Sequence, residues 1–183
     1  LQQTTVPHAT PYWERFLERW PQVSDLAAAP REDVLAAWAG LGYYARARNL
    51  HACAQVVAFE LDGVFPSDLK ALLALPGVGD YTANAIRAAA FDQPASVVDG
   101  NVERVLTRLV RMPTPLPKAK PQIKGIASGL ASPERPGDYA QAIMDLGATV
   151  CSPKSPDCAA CPWSGWCAAR AEGDQTRYPL KEK

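Results

Sequence analysis

The sequence predicts an all-α protein built from short helices. Apolar residues recur at helical spacing along most of the 183 residues, glycine and proline separate these segments, and no stretch shows the alternation typical of a β-strand. No internal repeat is visible. The pattern therefore favours helices joined by short loops, with enough residues for one domain or two small lobes.

The first part of the chain predicts four helices. Aromatic residues recur at helical spacing from Tyr12 to Trp20. Pro30 suits the start of the next helix, which carries acidic residues in its first turn. A long helix is predicted from about Tyr44 to Glu60, and Asp68 opens a short one that continues through Leu73.

The second part continues the helical pattern. Asp80 is predicted to cap a helix that runs from Tyr81 to about Ala90. Four prolines between 113 and 121 predict a connector, and short turns follow Cys151. Three further helices are predicted, after Asn101 and near 122–130 and 138–149.

Composition excludes several classes of protein. The chain is 48% hydrophobic and 21% charged, as globular domains are, and no apolar run approaches the ~20 residues that cross a bilayer. Its 19 basic and 19 acidic side chains weigh against a strongly basic nucleic-acid binder, although backbone amides can still hold phosphates. Without a visible secretory signal, we expect an intracellular protein, cytoplasmic and nucleoid-associated if bacterial, that binds no membrane.

Four of the five cysteines lie within 17 residues and predict a metal site. They are separated by six, two and five residues, and thiolates are soft ligands that suit zinc or an iron–sulfur cluster. A zinc knuckle or unligated thiols are the alternatives at this point. The fifth, Cys53, is predicted to be a small buried residue. The candidate ligands are Cys151, Cys158, Cys161 and Cys167.

The segment 75–81 predicts a tight turn between two helices. Gly77 and Gly79 can adopt positive φ and allow close approach of a ligand. Together with Val78 they would present backbone N–H groups beside a helix N-terminus, which is a natural phosphate site. A plain corner between helices is the alternative interpretation.

Asp99 is the candidate catalytic carboxylate. It follows two β-branched residues and precedes Gly100 and a helix, so capping that helix is the simpler interpretation. A carboxylate there would also stabilise positive charge on a deoxyribose as its base leaves. The two roles are compatible.

These motifs resemble those of a known family. The Leu-Pro-Gly-Val-Gly turn, Val-Val-Asp-Gly-Asn-Val and the six-two-five cysteines resemble the endonuclease III superfamily of helix-hairpin-helix DNA glycosylases. Residues 1–4, 40–51 and 144–148 resemble its adenine DNA glycosylase (MutY) branch. The resemblance implies a lobe over 8–112 that contains the hairpin, and a cluster lobe over 113–183 with 1–7. It also implies one 4Fe-4S cluster, which orders a loop whose basic side chains, here Lys154 and Arg170, face DNA.

The resemblance implies base excision. The partner would be double-stranded DNA carrying adenine opposite 8-oxoguanine or guanine, bound by a monomer that flips the adenine out. Bifunctional relatives place a nucleophilic lysine where this chain has Tyr81, and tyrosine cannot form a Schiff base. A monofunctional hydrolase is therefore expected, in which Tyr81 helps to hold Asp99.

Further roles carry over by resemblance. Gln3 and Tyr43 would fill or wedge the base stack, while Thr4 and Leu41 would lie against the 8-oxoguanine strand. Arg46 would contact DNA beside them. Gln141 would face the extruded adenine, since an amide both donates and accepts hydrogen bonds.

One departure from the family matters. In the family, a glutamate shortly before Leu-Gln-Gln-Thr protonates the adenine. That glutamate and its helix do not lie within these 183 residues. The C-terminal domain with which relatives recognise 8-oxoguanine does not lie within them either. The chain as given is therefore expected to be truncated and catalytically impaired. The alternatives are a non-catalytic DNA-binding protein with a structural cluster, or a glycosylase for oxidised pyrimidines.

Overall fold

The described part of the chain is built from helices joined by loops and turns. A computed structural model describes residues 4–182. Within that range the only β-type pairing is an isolated bridge between Leu116 and Lys181, which confirms the predicted all-α class. No helix among these residues is both long and apolar enough to span a bilayer.

Two compact units follow one another in the sequence, with the division between Gly79 and Asp80. The predicted lobes, 8–112 and 113–183 with 1–7, divide the chain at another place and stay a prediction. The helices of the first unit are α1 (Val6–Arg19), α2 (Val23–Ala28), α3 (Arg31–Ala37), α4 (Ala45–Glu60) and α5 (Leu69–Ala74).

Helix α4 carries much of the core of the first unit. Its Val57 is fully buried, as are Val34 of α3 and Leu72 of α5. His51 of α4 is also buried, and its Nε2 lies 3.0 Å from the Ala29 carbonyl oxygen. Helix α4 packs against α2 and α3, whereas α1 has no buried residue.

Helix α2 is absent from the sequence prediction. It has only six residues, too few for apolar periodicity to appear. Its start is fixed by a capping box in which the Gln22 backbone N–H donates to Asp25 Oδ2 at 3.0 Å.

The second unit contains α6 (Asp80–Phe91), α7 (Gly100–Leu109), α8 (Lys120–Leu130), α9 (Pro136–Asp145) and α10 (Ala168–Ala171). Its core forms around α7, whose buried Val102, Val105 and Leu106 pack in one cluster with Ile123 and Ile143.

Asp80 does not have its predicted place before α6. The helix begins at Asp80 itself, and Asp80 Oδ1 accepts a hydrogen bond from Lys124 Nζ at 2.7 Å. Its carboxylate therefore forms an exposed ion pair with α8.

The predicted helix over 138–149 changes type part of the way along. After α9 the chain forms a π-helical turn over Leu146–Val150, closed by a hydrogen bond from the Cys151 N–H to the Leu146 carbonyl at 2.7 Å. The turn crosses α7 so closely that a side chain at Gly147 would collide with Asn101. This close crossing fixes the cysteine loop, which begins at Cys151, against the first turns of α7.

Candidate functional site

The loop Trp38–Tyr44 has an unusual backbone. Gly40, Gly42 and Tyr43 have φ values of 100°, 68° and 46°, and a positive φ is uncommon for tyrosine. Two side chains hold this path: Trp38 Nε1 donates to the Gly42 carbonyl at 2.9 Å, and Tyr12 Oη donates to the Ala39 carbonyl at 2.9 Å. These two hydrogen bonds hold the backbone of the loop, and the Tyr43 side chain is left 65% exposed.

Arg46 contacts several of the residues that are predicted to lie against the lesion. Its Nη2 lies 3.4 Å from both Thr4 Oγ1 and the Leu41 carbonyl oxygen. Its guanidinium lies over the rings of Trp38, at 5.4 Å, and Tyr43, at 5.6 Å. Arg46 Nε is buried without a hydrogen-bond partner among the residues described.

Four predicted residues are therefore neighbours here, namely Thr4, Leu41, Tyr43 and Arg46. Gln3, which the sequence analysis groups with them, lies outside the described residues.

The predicted phosphate turn has one left-handed glycine. Gly77 has a φ of 75°, and a side chain there would collide with Asn49 of α4. Gly79 lies outside the left-handed region, unlike the sequence prediction, because the chain there already leads into α6. The Val78 N–H donates to the Leu75 carbonyl at 3.1 Å, and a side chain at Gly79 would meet no atom within 4 Å.

Asp99 caps α7 and is half-buried. Its Oδ1 accepts the Val102 N–H at 2.8 Å, and its Oδ2 accepts from Asn101 Nδ2 at 3.1 Å. The capping interpretation is therefore confirmed. Both carboxylate oxygens are held in a fixed orientation, while the catalytic role stays a prediction.

A polar network continues from Asp99 to the cysteine loop. Arg104 Nη2 donates to Asn101 Oδ1 at 2.8 Å and to the Gly147 carbonyl at 2.6 Å, and Arg104 Nε donates to the Cys151 carbonyl at 2.8 Å. Burial, and then the nearby positive charge of Arg108, lower the pKa of Arg104. The candidate catalytic carboxylate and the first cysteine are thus joined through two side chains.

The four clustered cysteines line one cavity, together with Arg108 and Arg170. All four are free thiols, and burial followed by the charge of Cys151 raises the pKa of Cys158. No three His, Cys, Asp or Glu side chains within 4–182 are grouped closely enough to hold a single metal ion. Cys53 is buried and apart from this cavity, as predicted.

The remaining predicted residues lie in the second unit. Tyr81 Oη donates to Met144 Sδ at 3.2 Å, and the exposed Gln141 donates through Nε2 to the Gly137 carbonyl at 3.2 Å. Their proposed contacts with Asp99 and adenine stay predictions. Lys154 and Arg170 are exposed, as basic side chains that face a partner must be.

Sequence reasoning missed Arg104 and Arg108 as parts of the site. The two arginines lie four residues apart on α7. In the sequence this spacing is typical of an ordinary solvent-exposed, charged helix face. The available signal was their position directly after the Asp99 motif, on a short helix whose other face is strongly apolar.

Comparison with known proteins agrees with the geometry. A family model for HhH-GPD superfamily base excision DNA repair proteins matches residues 1–124. The adenine DNA glycosylase of Homo sapiens is 47% identical over 179 residues, which are 96% of this chain and 33% of that protein. The adenine DNA glycosylase of Mycolicibacterium smegmatis is 44% identical over 173 residues, 94% of this chain and 59% of its own length. The chain therefore spans between a third and three fifths of these relatives.

Two solved structures of DNA repair enzymes have the same fold. A thermostable thymine-DNA glycosylase superposes with a TM-score of 0.84 at 28% identity, covering 93% of this chain and 79% of its own. Endonuclease III in a non-covalent DNA complex gives a TM-score of 0.75 at 27% identity, covering 89% and 76%. With the helical fold, the turn at Gly77 and the family model all in agreement, the chain belongs to the HhH-GPD superfamily of base excision DNA repair proteins.

Proposed function

We propose that this chain is the catalytic region of a monofunctional adenine DNA glycosylase. It would hydrolyse the N-glycosidic bond of adenine paired with 8-oxoguanine or guanine and leave an abasic site. The observation that carries the proposal is the held carboxylate of Asp99, in a chain 44–47% identical to proteins named adenine DNA glycosylase.

The proposed role of Asp99 is electrostatic stabilisation of the reacting sugar. As adenine leaves, positive charge develops on the deoxyribose, and a fixed anion beside it lowers the energy of that state. The Val102 N–H and the Asn101 amide hold the carboxylate in one orientation, so little reorganisation is needed during the reaction. Asp99 would then help to position a water, or shield the cation until water adds.

The absence of an amine from the hairpin supports a hydrolytic rather than a strand-nicking reaction. Tyr81 occupies the place where bifunctional members carry a lysine, and a phenol cannot form a Schiff base. Its hydroxyl already donates to Met144, at 3.2 Å. We propose that Tyr81 borders the sugar and supports Asp99 without bonding to the substrate.

DNA contacts are assigned to both units. The N–H groups of Gly77 and Gly79, at the entry to α6, suit a phosphate, and the open space beside Gly79 permits its approach. The Val78 N–H already donates to the Leu75 carbonyl, so Val78 would contribute its place in the turn and not a donor. The exposed Tyr43 would enter the base stack, beside the guanidinium of Arg46, which lies 5.6 Å from the centre of the Tyr43 ring. Gln3, Thr4 and Leu41 would complete that contact, and Gln141 would meet the flipped adenine.

The cysteine residues present fit a 4Fe-4S cluster. Four thiols line a single cavity, yet none of the described groups is tight enough for one metal ion. In a 4Fe-4S cube each iron takes one thiolate, so the four thiols would supply the complete ligand set. Cys151, Cys158, Cys161 and Cys167 would hold the cluster, which when bound would order the loop and take no part in hydrolysis.

A general acid is still required to protonate the adenine. The resemblance assigns this task to a glutamate that has no counterpart in the 183 residues. We therefore expect these 183 residues by themselves to release adenine slowly, and the activity test uses the full natural gene product.

The test compares two aspartates that cap helices in the same way. Asp68 accepts the Ala71 N–H at 2.9 Å, just as Asp99 accepts the Val102 N–H. Asp99→Asn retains a good cap, since asparagine and aspartate are comparable there, but loses the charge. In single-turnover assays on A:8-oxoguanine duplex, Asp99→Asn is expected to lose at least about a hundredfold in rate, in line with loss of an electrostatic contact, while Asp68→Asn stays near the parent.

Substrate choice is measured in the same assay. Duplexes with A:G, T:G and an oxidised pyrimidine are compared with A:8-oxoguanine. Preference for an oxidised pyrimidine or for thymine would reject the adenine assignment, and equal rates for the parent and Asp99→Asn would reject the catalytic one. Tight duplex binding without any base release would favour the non-catalytic alternative.

A further inference from the structure

Arg108 is a fully buried cation. Only 1% of its surface is exposed, and it lies on α7, one turn beyond Arg104. Its guanidinium donates to four carbonyl groups: Nε to Tyr178 at 3.3 Å, Nη1 to Cys151 at 3.3 Å and to Ser152 at 2.8 Å, and Nη2 to Pro153 at 2.9 Å. A further bond runs from Nη1 to Cys151 Sγ at 3.3 Å.

This cation has no carboxylate partner within the described part of the chain. Each ion pair found there uses other basic side chains, and the nearby acid Asp174 pairs with Arg111 and Arg177. Its charged neighbour Arg104 is also positive. Carbonyl dipoles satisfy the N–H groups of Arg108 but leave its net charge uncompensated, and a buried charge is costly without an opposite one.

Among the described residues, the only other group that accepts a hydrogen bond from the Arg108 guanidinium is the Cys151 sulfur. Arg108 also lines the cavity that the four cysteines share. Four thiolates around a cubane give the complex a net negative charge, because their charges exceed that of the iron–sulfur core. A cluster in this cavity would therefore bring to Arg108 the opposite charge that the polypeptide does not provide.

We propose that Arg108 is the buried counter-ion of the iron–sulfur cluster, an inference that rests on the cluster assigned under Proposed function. It is a positioning residue with two effects. Its bonds to the carbonyls of residues 151–153 set the direction of the Cys151 thiolate. Its charge and the N–H···S bond stabilise the more negative state of the cluster, which raises the reduction potential and slows cluster loss.

The competing explanation is that Arg108 merely ties the loop to α7. A loop anchor would affect folding whether or not a cluster is present, and it would leave the potential of any bound cluster unchanged. The reduction potential is therefore the decisive readout, because a merely structural role does not move it.

The experiment uses the 183-residue chain purified without oxygen with its iron and sulfide. Arg108→Gln removes the charge, and Arg108→Lys keeps the charge but loses the planar fork. Arg111→Gln is the matched control, since Arg111 lies two residues beyond the end of α7 and forms a partly exposed ion pair with Asp174 at 3.0 Å. Reduction potential is measured by protein-film voltammetry, iron loss by absorbance after addition of a chelator, and folding of the apo chains by circular dichroism.

We expect Arg108→Gln to lower the reduction potential and to speed iron loss by about tenfold or more, as loss of a contact behind a metal ligand does. Arg108→Lys should fall between Arg108→Gln and the parent, and Arg111→Gln should match the parent. If neither Arg108 variant retains iron although both apo chains fold as the parent does, the role is specific to the cluster and the proposal is supported.

Three results overturn the proposal. They are an unchanged potential in Arg108→Gln, an equal shift in Arg111→Gln, and misfolding of both Arg108 variants in the apo state as well as with iron. If the parent chain itself binds no iron and sulfide, the cluster assignment fails first. That result differs from one in which the parent binds the cluster and the Arg108 variants have the same reduction potential as the parent.

Discussion

Two loops of this molecule are stabilised in opposite ways. The loop Trp38–Tyr44 is fixed by its own polypeptide, through the Trp38 indole and the Tyr12 hydroxyl, each donating to a loop carbonyl at 2.9 Å. The loop from Cys151 to Cys167 instead contains four thiols around a cavity, and it is joined to α7 mainly through two arginines. Two of its side chains, Cys151 and Trp163, also pack against the core cluster around α7.

The difference separates two kinds of functional surface. A surface that must present one rigid aromatic side chain, such as Tyr43, is completed by hydrogen bonds at the time of folding. The cysteine loop contains free thiols beside a buried charge, and under the proposal made above it would gain further order from a bound iron–sulfur cluster. The following predictions test this contrast, from the largest expected effect to the smallest.

Loss of one ligand should disrupt the cysteine loop alone. In Cys161→Ser we expect loss of the cluster, because a serine hydroxyl does not replace a thiolate ligand, and trypsin should then cut faster after Lys154 and Arg170. Iron analysis and mass spectrometry of the fragments measure both effects. The contrast would fail if cleavage rose equally after Arg46.

Cys53→Ala is the control for this change. Cys53 is buried in α4 and lies apart from the cavity, so its loss removes a thiol without removing a ligand. Iron content should remain that of the parent. A fall in bound iron would mean that the four-cysteine assignment is incomplete.

The other loop should respond by a modest and local amount. Trp38→Phe keeps an aromatic ring but removes the bond to the Gly42 carbonyl, which should lower the free energy of unfolding by about 1 kcal/mol. Urea denaturation measures it, with Trp13→Phe as the control, since Trp13 is 63% exposed. Equal losses in both variants would show that the indole N–H does not hold the loop.

Substitution of Arg46 should lower the free energy of unfolding by less than Trp38→Phe does, and its main effect should be on DNA recognition. Arg46→Met removes a guanidinium that lies over two rings, an arrangement worth about 0.5–1 kcal/mol at a partly exposed site. Preference for A:8-oxoguanine over A:T duplex should fall as well, measured by fluorescence anisotropy. Unchanged preference would remove Arg46 from the lesion contact.

The smallest effect is expected at the basic rim of the cysteine loop. Lys154→Ala should weaken binding of all duplexes alike and reduce the salt dependence of the binding constant by about one counter-ion. Lys118→Ala is the matched control, because Lys118 already pairs with Glu182 at 2.9 Å. A change in base preference with Lys154→Ala would contradict a simple phosphate contact.

The helices could be predicted because their signals are local. The apolar spacing in α7, the punctuation around α4 and the capping position of Asp99 all lie within a few residues of one another in sequence. The buried Arg108 could not be predicted, since arginine on a helix is usually solvated and its partners lie 43 to 70 residues away. The same holds for the contact of Arg46 with Thr4.

Local signals also failed where an element was short or irregular. Helix α2 has six residues, and the sequence of α9 runs into the π-helical turn without any break in helical propensity. The change of type follows from the crossing with α7, where Gly147 allows close approach and its carbonyl accepts from Arg104. A packing contact between segments that are distant in sequence does not change the spacing of apolar residues, so the sequence pattern does not predict it.

The π-helical turn at Leu146–Val150 fixes the number of residues that this segment must contain. A π turn amounts to one additional residue within an α-helix, and removing it would rotate everything downstream by about 100° around the helix axis. Cys151, whose N–H closes the turn, would then point away from the cavity that it shares with the other cysteines. Substitutions in this segment can be absorbed, whereas a deletion of one residue would misdirect a ligand without touching any of the four thiols.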